Sequence, residues 1–170
     1  MEQLKELISW LKQNKFIKQE PTFGNQAGLV VLFSGTATGN KLNAVKFLGK
    51  EFKKEIHHVD SAKVISKYIG ETEKNLNQIF ESAESKKWII FFDEADALFG
   101  KRADVKDAHD KYANLEVSYL LQCLEAFHGL IILAANSKAS LDPTLTRRLS
   151  HVVRFTNRIS PDLSSLFPKK

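Results

Sequence analysis

The stretch Trp88-Ile89-Ile90-Phe91-Phe92-Asp93-Glu94-Ala95-Asp96 runs from apolar residues straight into carboxylates. An unbroken apolar run of this length suits a strand buried on both faces of a parallel sheet. Asp93 and Glu94 would then stand at its carboxyl end, where open α/β sheets place their ligand crevice. Two adjacent acids there suit holding a Mg²⁺ ion and polarising a water beside it. The competing reading is a solvated turn after an ordinary core strand.

A second stretch upstream could hold phosphate. Leu29-Val30-Val31-Leu32-Phe33 reads as a strand, and Gly35-Thr36-Ala37-Thr38-Gly39-Asn40-Lys41-Leu42 follows it. Strand, glycine-bearing loop, lysine and helix make the architecture of a phosphate loop, in which backbone N–H groups and a lysine meet the anion. Gly35 and Lys41 have the spacing of G-x-x-x-x-G-K, but Asn40 stands at the second glycine and Leu42 at the Ser/Thr that would bind Mg²⁺. Asparagine tolerates positive φ, so the loop can still form. Leu42 has no oxygen for a metal. Sliding the register by one puts Asn40 at the lysine instead, and an unrelated turn remains open.

These loops need a scaffold, and the remaining pattern supplies one. Leu4, Leu7, Ile8 and Leu11 recur at helical spacing, and Pro21, Gly24 and Gly28 mark a loop. Leu42 to Phe52 reads as a helix after a polar run from Ser34 to Asn40. Ile56 to Val59 reads as a short strand, with Asp60 assigned only capping. A short helix over Ala62 to Lys67 leads to a break at Tyr68-Ile69-Gly70. Leu76, Ile79, Phe80 and Ala83 share a helical face, and a long helix is expected from Tyr112 to Phe127, capped by Gly129. Leu130 to Ala134 gives a fourth strand ending at Asn136, and Val152, Val153 and Phe155 give a fifth. Asp142-Pro143 fits an N-cap followed by proline. Strands alternating with helices predict an α/β fold with a five-stranded parallel sheet and flanking helices.

Composition narrows the classes. With 170 residues, 43% hydrophobic and 26% charged, the chain suits one globular domain. No apolar run approaches the roughly 18 residues of a membrane span, and the N-terminus lacks a signal-peptide core. The single Cys123 allows no internal disulfide and points to a reducing, cytoplasmic setting. The net charge of +5 comes from scattered lysines without interleaved aromatics, which speaks against a nucleic-acid surface. The five histidines show no zinc-ligand spacing with Cys123.

With its two most specific stretches in view, Ser66 to Leu76 and Phe91 to Arg102, the chain resembles the AAA+ ATPases over about residues 29–155. It is most similar to the classical AAA subgroup of katanin, spastin and related bacterial ATPases. The resemblance implies a P-loop NTPase fold, the AAA+ large subdomain, with ATP and Mg²⁺ as cofactors. Gly35 to Leu42 would hold the nucleotide and Asp93 the metal. Glu94 would be the base that activates water, and Asn136 the sensor of the γ-phosphate. Arg147 and Arg148 match paired arginines that reach a neighbouring subunit's site, which implies a homo-oligomeric ring, a hexamer if intact. Lys67-Tyr68-Ile69-Gly70 is similar to the pore loop that grips a polypeptide substrate, and Gly100 to His109 would carry a second pore loop. From the residues alone, Asn136 also reads as a turn asparagine, the arginines as helix-end cations, and Tyr68 as a core residue. Asp93 to Asp96 also spells the box of the RNA helicases, but a single domain of this size lacks their second lobe.

The expected organisation is an N-terminal helix and linker over 1–28, an ATPase core over 29–155 and a short tail over 156–170, with the C-terminal helical lid absent. Two functions follow. The first is ATP hydrolysis coupled to protein remodelling or unfolding in a ring. The second is a degenerate AAA-like interaction module with weak or no hydrolysis, for which Leu42 and the missing lid speak.

Overall fold

A computed structural model of the chain describes residues 2–13, 28–66, 68, 70–100 and 118–156. The expected parallel sheet is present. Its strands are β1 (Leu29–Ser34), β2 (Ile56–Asp60), β3 (Ile89–Asp93), β4 (Leu130–Ala135) and β5 (His151–Arg154). They pair in the order β2-β3-β4-β1-β5, every pair parallel. β4 therefore lies between the strand that leads into the phosphate loop and the strand that ends in the acids.

The apolar runs of the strands divide by pleat between two cores, because successive side chains point to opposite faces. On one face Val30, Leu32, Ile90, Phe92, Ile131 and Leu133 meet the helices α3 (Ser61–Val64), α4 (Glu71–Lys86), α5 (Asp96–Phe99) and α6, described over 118–126. On the other, Val31, Phe33, Ile89, Phe91, Leu130 and Ile132 meet α1 (Glu2–Gln13) and α2 (Thr38–Phe52). This two-sided burial explains why the strands read as continuous apolar runs.

Helix α1 is short for independent stability in water. It is held because Leu4, Leu7, Ile8 and Leu11 are all buried against the sheet, each such burial contributing about 1.5–3 kcal/mol. Gln3 Oε1 also accepts the Arg154 N–H at 2.8 Å, which occupies a backbone donor of edge strand β5.

Several boundaries differ from the sequence reading. α2 begins at Thr38, not Leu42, so Gly39 and Asn40 belong to its first turn. The short helix after β2 is Ser61–Val64, capped by Asp60, whose side chain accepts the Ala62 N–H at 3.1 Å. α5 was not expected from the sequence. A one-turn helix is too short for periodicity to reveal. Trp88 and Phe155 flank β3 and β5 rather than belonging to them. Asp142 caps α7 (Pro143–Thr146) as expected, accepting the Thr144 N–H at 2.7 Å.

Candidate functional site: a phosphate loop facing two acids

The carboxyl ends of β1, β3 and β4 converge, and three segments meet there. From β1 the chain enters Gly35, whose φ of +124° only glycine adopts readily. Its N–H is shared between the carbonyls of Ala135 and Asn136, at 3.0 and 3.1 Å. A Cβ at Gly35 would lie 1.9 Å from the Phe155 carbonyl oxygen. The loop is thus wedged between the tips of β4 and β5.

Thr36 is exposed and Ala37 is buried as the N-cap of α2. No side chain caps this helix end, so its N-terminal dipole faces the crevice without an internal anion. A Cβ at Gly39 would meet nothing within 4 Å, which leaves space beside the first turn. Asn40 lies inside the helix with ordinary negative φ. The tolerance of asparagine for positive φ, expected to rescue the loop, is not needed.

Lys41 is only 3% exposed and folds back into the loop. Its ammonium donates to the Gly35 carbonyl at 2.8 Å and the Ala135 carbonyl at 3.3 Å. Burial pushes its pKa below the usual lysine value, while Asp93 and Asp96 pull the other way. Among the described residues Lys41 makes no ion pair, and its ammonium is held by backbone carbonyls alone. Leu42, half-buried, packs against the apolar cluster beneath α2. Where a metal-binding hydroxyl was sought, the side chain serves the core.

On the other side, Asp93 ends β3. Its Oδ1 accepts the Glu94 N–H at 3.0 Å, and its Oδ2 lies 3.5 Å from His58 Nε2. Glu94 is exposed and held at φ +52°, a left-handed conformation unusual for a glutamate. The turn is pinned by the Ala95 N–H, which donates to the Ala134 carbonyl at 2.8 Å. Asn136, exposed at the tip of β4, donates its N–H to Asp96 Oδ2 at 3.0 Å. Its carbonyl meanwhile accepts from Gly35, so Asn136 ties the phosphate loop to the acidic turn.

A helix N-terminus and a buried lysine facing carboxylates at the strand ends can receive a phosphate, and comparison with known proteins narrows the reading. Residues 31–157 match the family described as "ATPase family associated with various cellular activities (AAA)". The chain belongs to the AAA family. It is 33% identical over 120 residues to the cell division cycle protein 48 homolog of Archaeoglobus fulgidus, covering 69% of this chain and 16% of that protein. It is 32% identical over 151 residues to the ATPase family gene 2 protein of Schizosaccharomyces pombe, covering 85% of this chain and 18% of that one. It is also 31% identical over 143 residues to the 26S proteasome regulatory subunit 4 homolog of Saccharomyces cerevisiae, with 80% of this chain and 32% of the relative covered.

AAA membership implies ATP as the ligand. The uncapped end of α2, the space at Gly39 and the buried Lys41 fit its phosphates. For Mg²⁺ the fit is narrower. Among the described residues no group of three or more His, Cys, Asp or Glu could cage an ion. Mg²⁺ is commonly held by one or two carboxylates with phosphate oxygens and water, and Asp93 can supply one.

The other described candidates, Tyr68, Gly70, Arg147 and Arg148, belong to other segments of the fold. Tyr68 is 72% exposed, and Gly70, at φ +81°, precedes α4. Tyr68 is therefore not a core residue. Lys67 and Ile69 lie outside the described residues, as does the second pore-loop segment from 101 to 109. Arg147 is exposed, whereas the Arg148 guanidinium pairs with Glu125 of α6. Two site neighbours were not singled out from the sequence, His58 and Asp96. The spacing of Asp96, three residues beyond Asp93, was visible, but its partners were not. Among the described residues no helix is long and apolar enough to cross a membrane.

Proposed function

We propose that this domain binds Mg-ATP in the crevice between α2 and the acidic turn, hydrolyses it, and works within a ring that remodels polypeptides. The observation that supports it is the convergence on one crevice of buried Lys41, Asp93 and Asn136, tied through Gly35. Lys41 exchanges its two carbonyl acceptors for phosphate oxygens. Mg²⁺, when bound, neutralises phosphate charge. Glu94 accepts the proton of the attacking water, and Asn136 orients that water through a neutral amide. Arg147, exposed and without an ion pair among the described residues, is the better candidate to reach a neighbour's γ-phosphate, since Arg148 is engaged by Glu125. Tyr68 offers an aromatic grip on extended polypeptide, independent of its sequence. The relatives named above include a proteasome regulatory subunit, consistent with a polypeptide substrate. The expected division into segments 1–28, 29–155 and 156–170, and a cytoplasmic location, belong to the same proposal.

Leu42 favours a second reading, an AAA module that binds without turnover. Thermal melting with and without millimolar Mg-ATP separates the possibilities. Saturation to about one hundred times Kd adds roughly 2.7 kcal/mol, a rise of about 5–10 °C for a domain this size. A shift accompanied by phosphate release supports the first reading, and a shift without release supports the second. An unchanged melting temperature would sink nucleotide binding altogether. If Asn40→Gly with Leu42→Thr then creates binding, the site is degenerate through those two positions.

A further inference from the structure

The acidic run contains three carboxylates, and the proposed reaction uses only Asp93 and Glu94. Asp96 points elsewhere. As the first residue of α5 it is half-buried, and both of its oxygens are engaged on the segment that follows β4. Oδ2 accepts the Asn136 N–H at 3.0 Å, and Oδ1 accepts the Ser140 hydroxyl. Ser140 Oγ in turn lies 2.6 Å from the Ser137 carbonyl, so the turn from 136 to 140 closes on the carboxylate. A second tie runs beside the first, from the Asp142 N–H to the Phe99 carbonyl at 2.8 Å.

The two hydrogen bonds to the Asn136 backbone have a geometric consequence. One fixes the peptide before its Cα, through the N–H held by Asp96. The other fixes the peptide after it, through the carbonyl held by Gly35. With both peptide planes set, the direction of the Cα–Cβ bond is set too. The exposed asparagine side chain thus starts from a direction set by its backbone. Asp96 itself sits on a firm base, since Ala95 is bonded to β4 and the Phe99 N–H donates to the Ala95 carbonyl at 2.8 Å.

We propose that Asp96 is a positioning residue that aims Asn136 at the γ-phosphate, so that it sets discrimination of ATP from ADP without touching nucleotide. This rests on the ATP-binding reading above. The role belongs to the hydrogen-bonding shape of Asp96 rather than to its charge. An asparagine at 96 can accept the Asn136 N–H through its oxygen and donate through its amide to Ser140 Oγ, whose proton is free to point at Ser137. An alanine can do neither.

The test compares wild type, Asp96→Asn and Asp96→Ala by two readouts on the whole chain. The first is amide hydrogen exchange at Asn136 without nucleotide. Loss of this hydrogen bond is expected to speed exchange by about tenfold in the alanine variant, with asparagine restoring much of the protection. The second is the ratio of ATP to ADP affinity, measured with fluorescent analogues of both in the presence of Mg²⁺. The alanine variant is expected to lose most of the discrimination with ADP affinity nearly unchanged, while asparagine stays within about threefold of wild type. Unchanged exchange in Asp96→Ala would overturn the clamp. Faster exchange with an unaltered ATP/ADP ratio would leave Asp96 a structural residue and overturn the positioning role. Equal loss of discrimination in both variants would assign the effect to charge and also overturn it. Wild-type protein that binds neither nucleotide would remove the ATP reading and the sensor role with it, while the exchange result still decides the clamp.

Discussion

Gly35 in the loop and Gly39 in the first turn of α2 should respond to the same substitution with opposite signs. At Gly35, alanine meets a φ of +124° and a carbonyl oxygen of Phe155 only 1.9 Å from the new Cβ. The obstacle is backbone, held by the Phe155 N–H on the Ser34 carbonyl at 2.7 Å, so it cannot swing aside as a flexible side chain would. Strain at such a φ costs about 1–3 kcal/mol, and displacing the end of β5 adds a comparable amount, giving about 2–6 kcal/mol in all. At Gly39 nothing lies within 4 Å and the backbone is helical. Alanine there should stabilise by about 0.5–1 kcal/mol, because it reduces the freedom of the unfolded chain. Urea unfolding, followed by fluorescence of half-buried Trp10 and Trp88, measures both. With a slope of about 2 kcal/mol per M, Gly35→Ala should lower the midpoint by about 1–3 M. Gly39→Ala should raise it by about 0.3–0.5 M on the same scale. A fall of less than about 0.5 M for Gly35→Ala, or any fall for Gly39→Ala, would refute this account of the loop.

Other expectations follow from the same geometry. Lys41→Met should abolish the Mg-ATP melting shift while changing the stability of the free protein by no more than about 1.5 kcal/mol, since lost bonds to two carbonyls are offset by relief of a buried charge. Because the folded pKa of Lys41 is lowered, the unfolded chain binds more protons just below the usual lysine value. Wild type should therefore gain stability on Lys41→Met as pH rises through that alkaline window, which paired urea titrations would detect; a parallel pH course would count against it. Tyr68→Ala should leave the urea midpoint within the equivalent of about 0.5 kcal/mol, whereas a core tyrosine would cost several times more. A double-mutant cycle on Arg148 and Glu125 should give a coupling of about 0.2–1 kcal/mol, because both side chains are partly exposed. A coupling near zero would show that Arg148 is not held at α6.

The strands and the acids were legible because their signals are local. Five apolar residues before Asp93, or Leu29 to Phe33 before Gly35, can be read without knowing what packs on them. The bounds of α2 were less legible. Gly39 and Asn40 are weak helix formers, yet the first turn tolerates them, and the loop closure at Gly35 starts the helix at Thr38. Asn40 was judged by the conformation its motif position suggested, whereas the helix gives it an ordinary one. That Leu42 offers no oxygen to a metal follows from its residue type, whereas its packing against the core under α2 is a tertiary fact.

The sequence by itself determined the alternation of strands and helices, the family, and the residue types offered at each strand end. Each depends on periodicity or spacing within a dozen or so residues, where chain connectivity dictates what is near. Only the tertiary structure decided which of those residues meet. Strand order places β4 between β1 and β3, which brings Ala135 to Lys41 and Asn136 to both Gly35 and Asp96. It also gives Arg148 to Glu125 and leaves Tyr68 in solvent. These contacts join residues far apart in the chain, and no local pattern encodes them, because they exist only once the sheet has fixed the order of its strands.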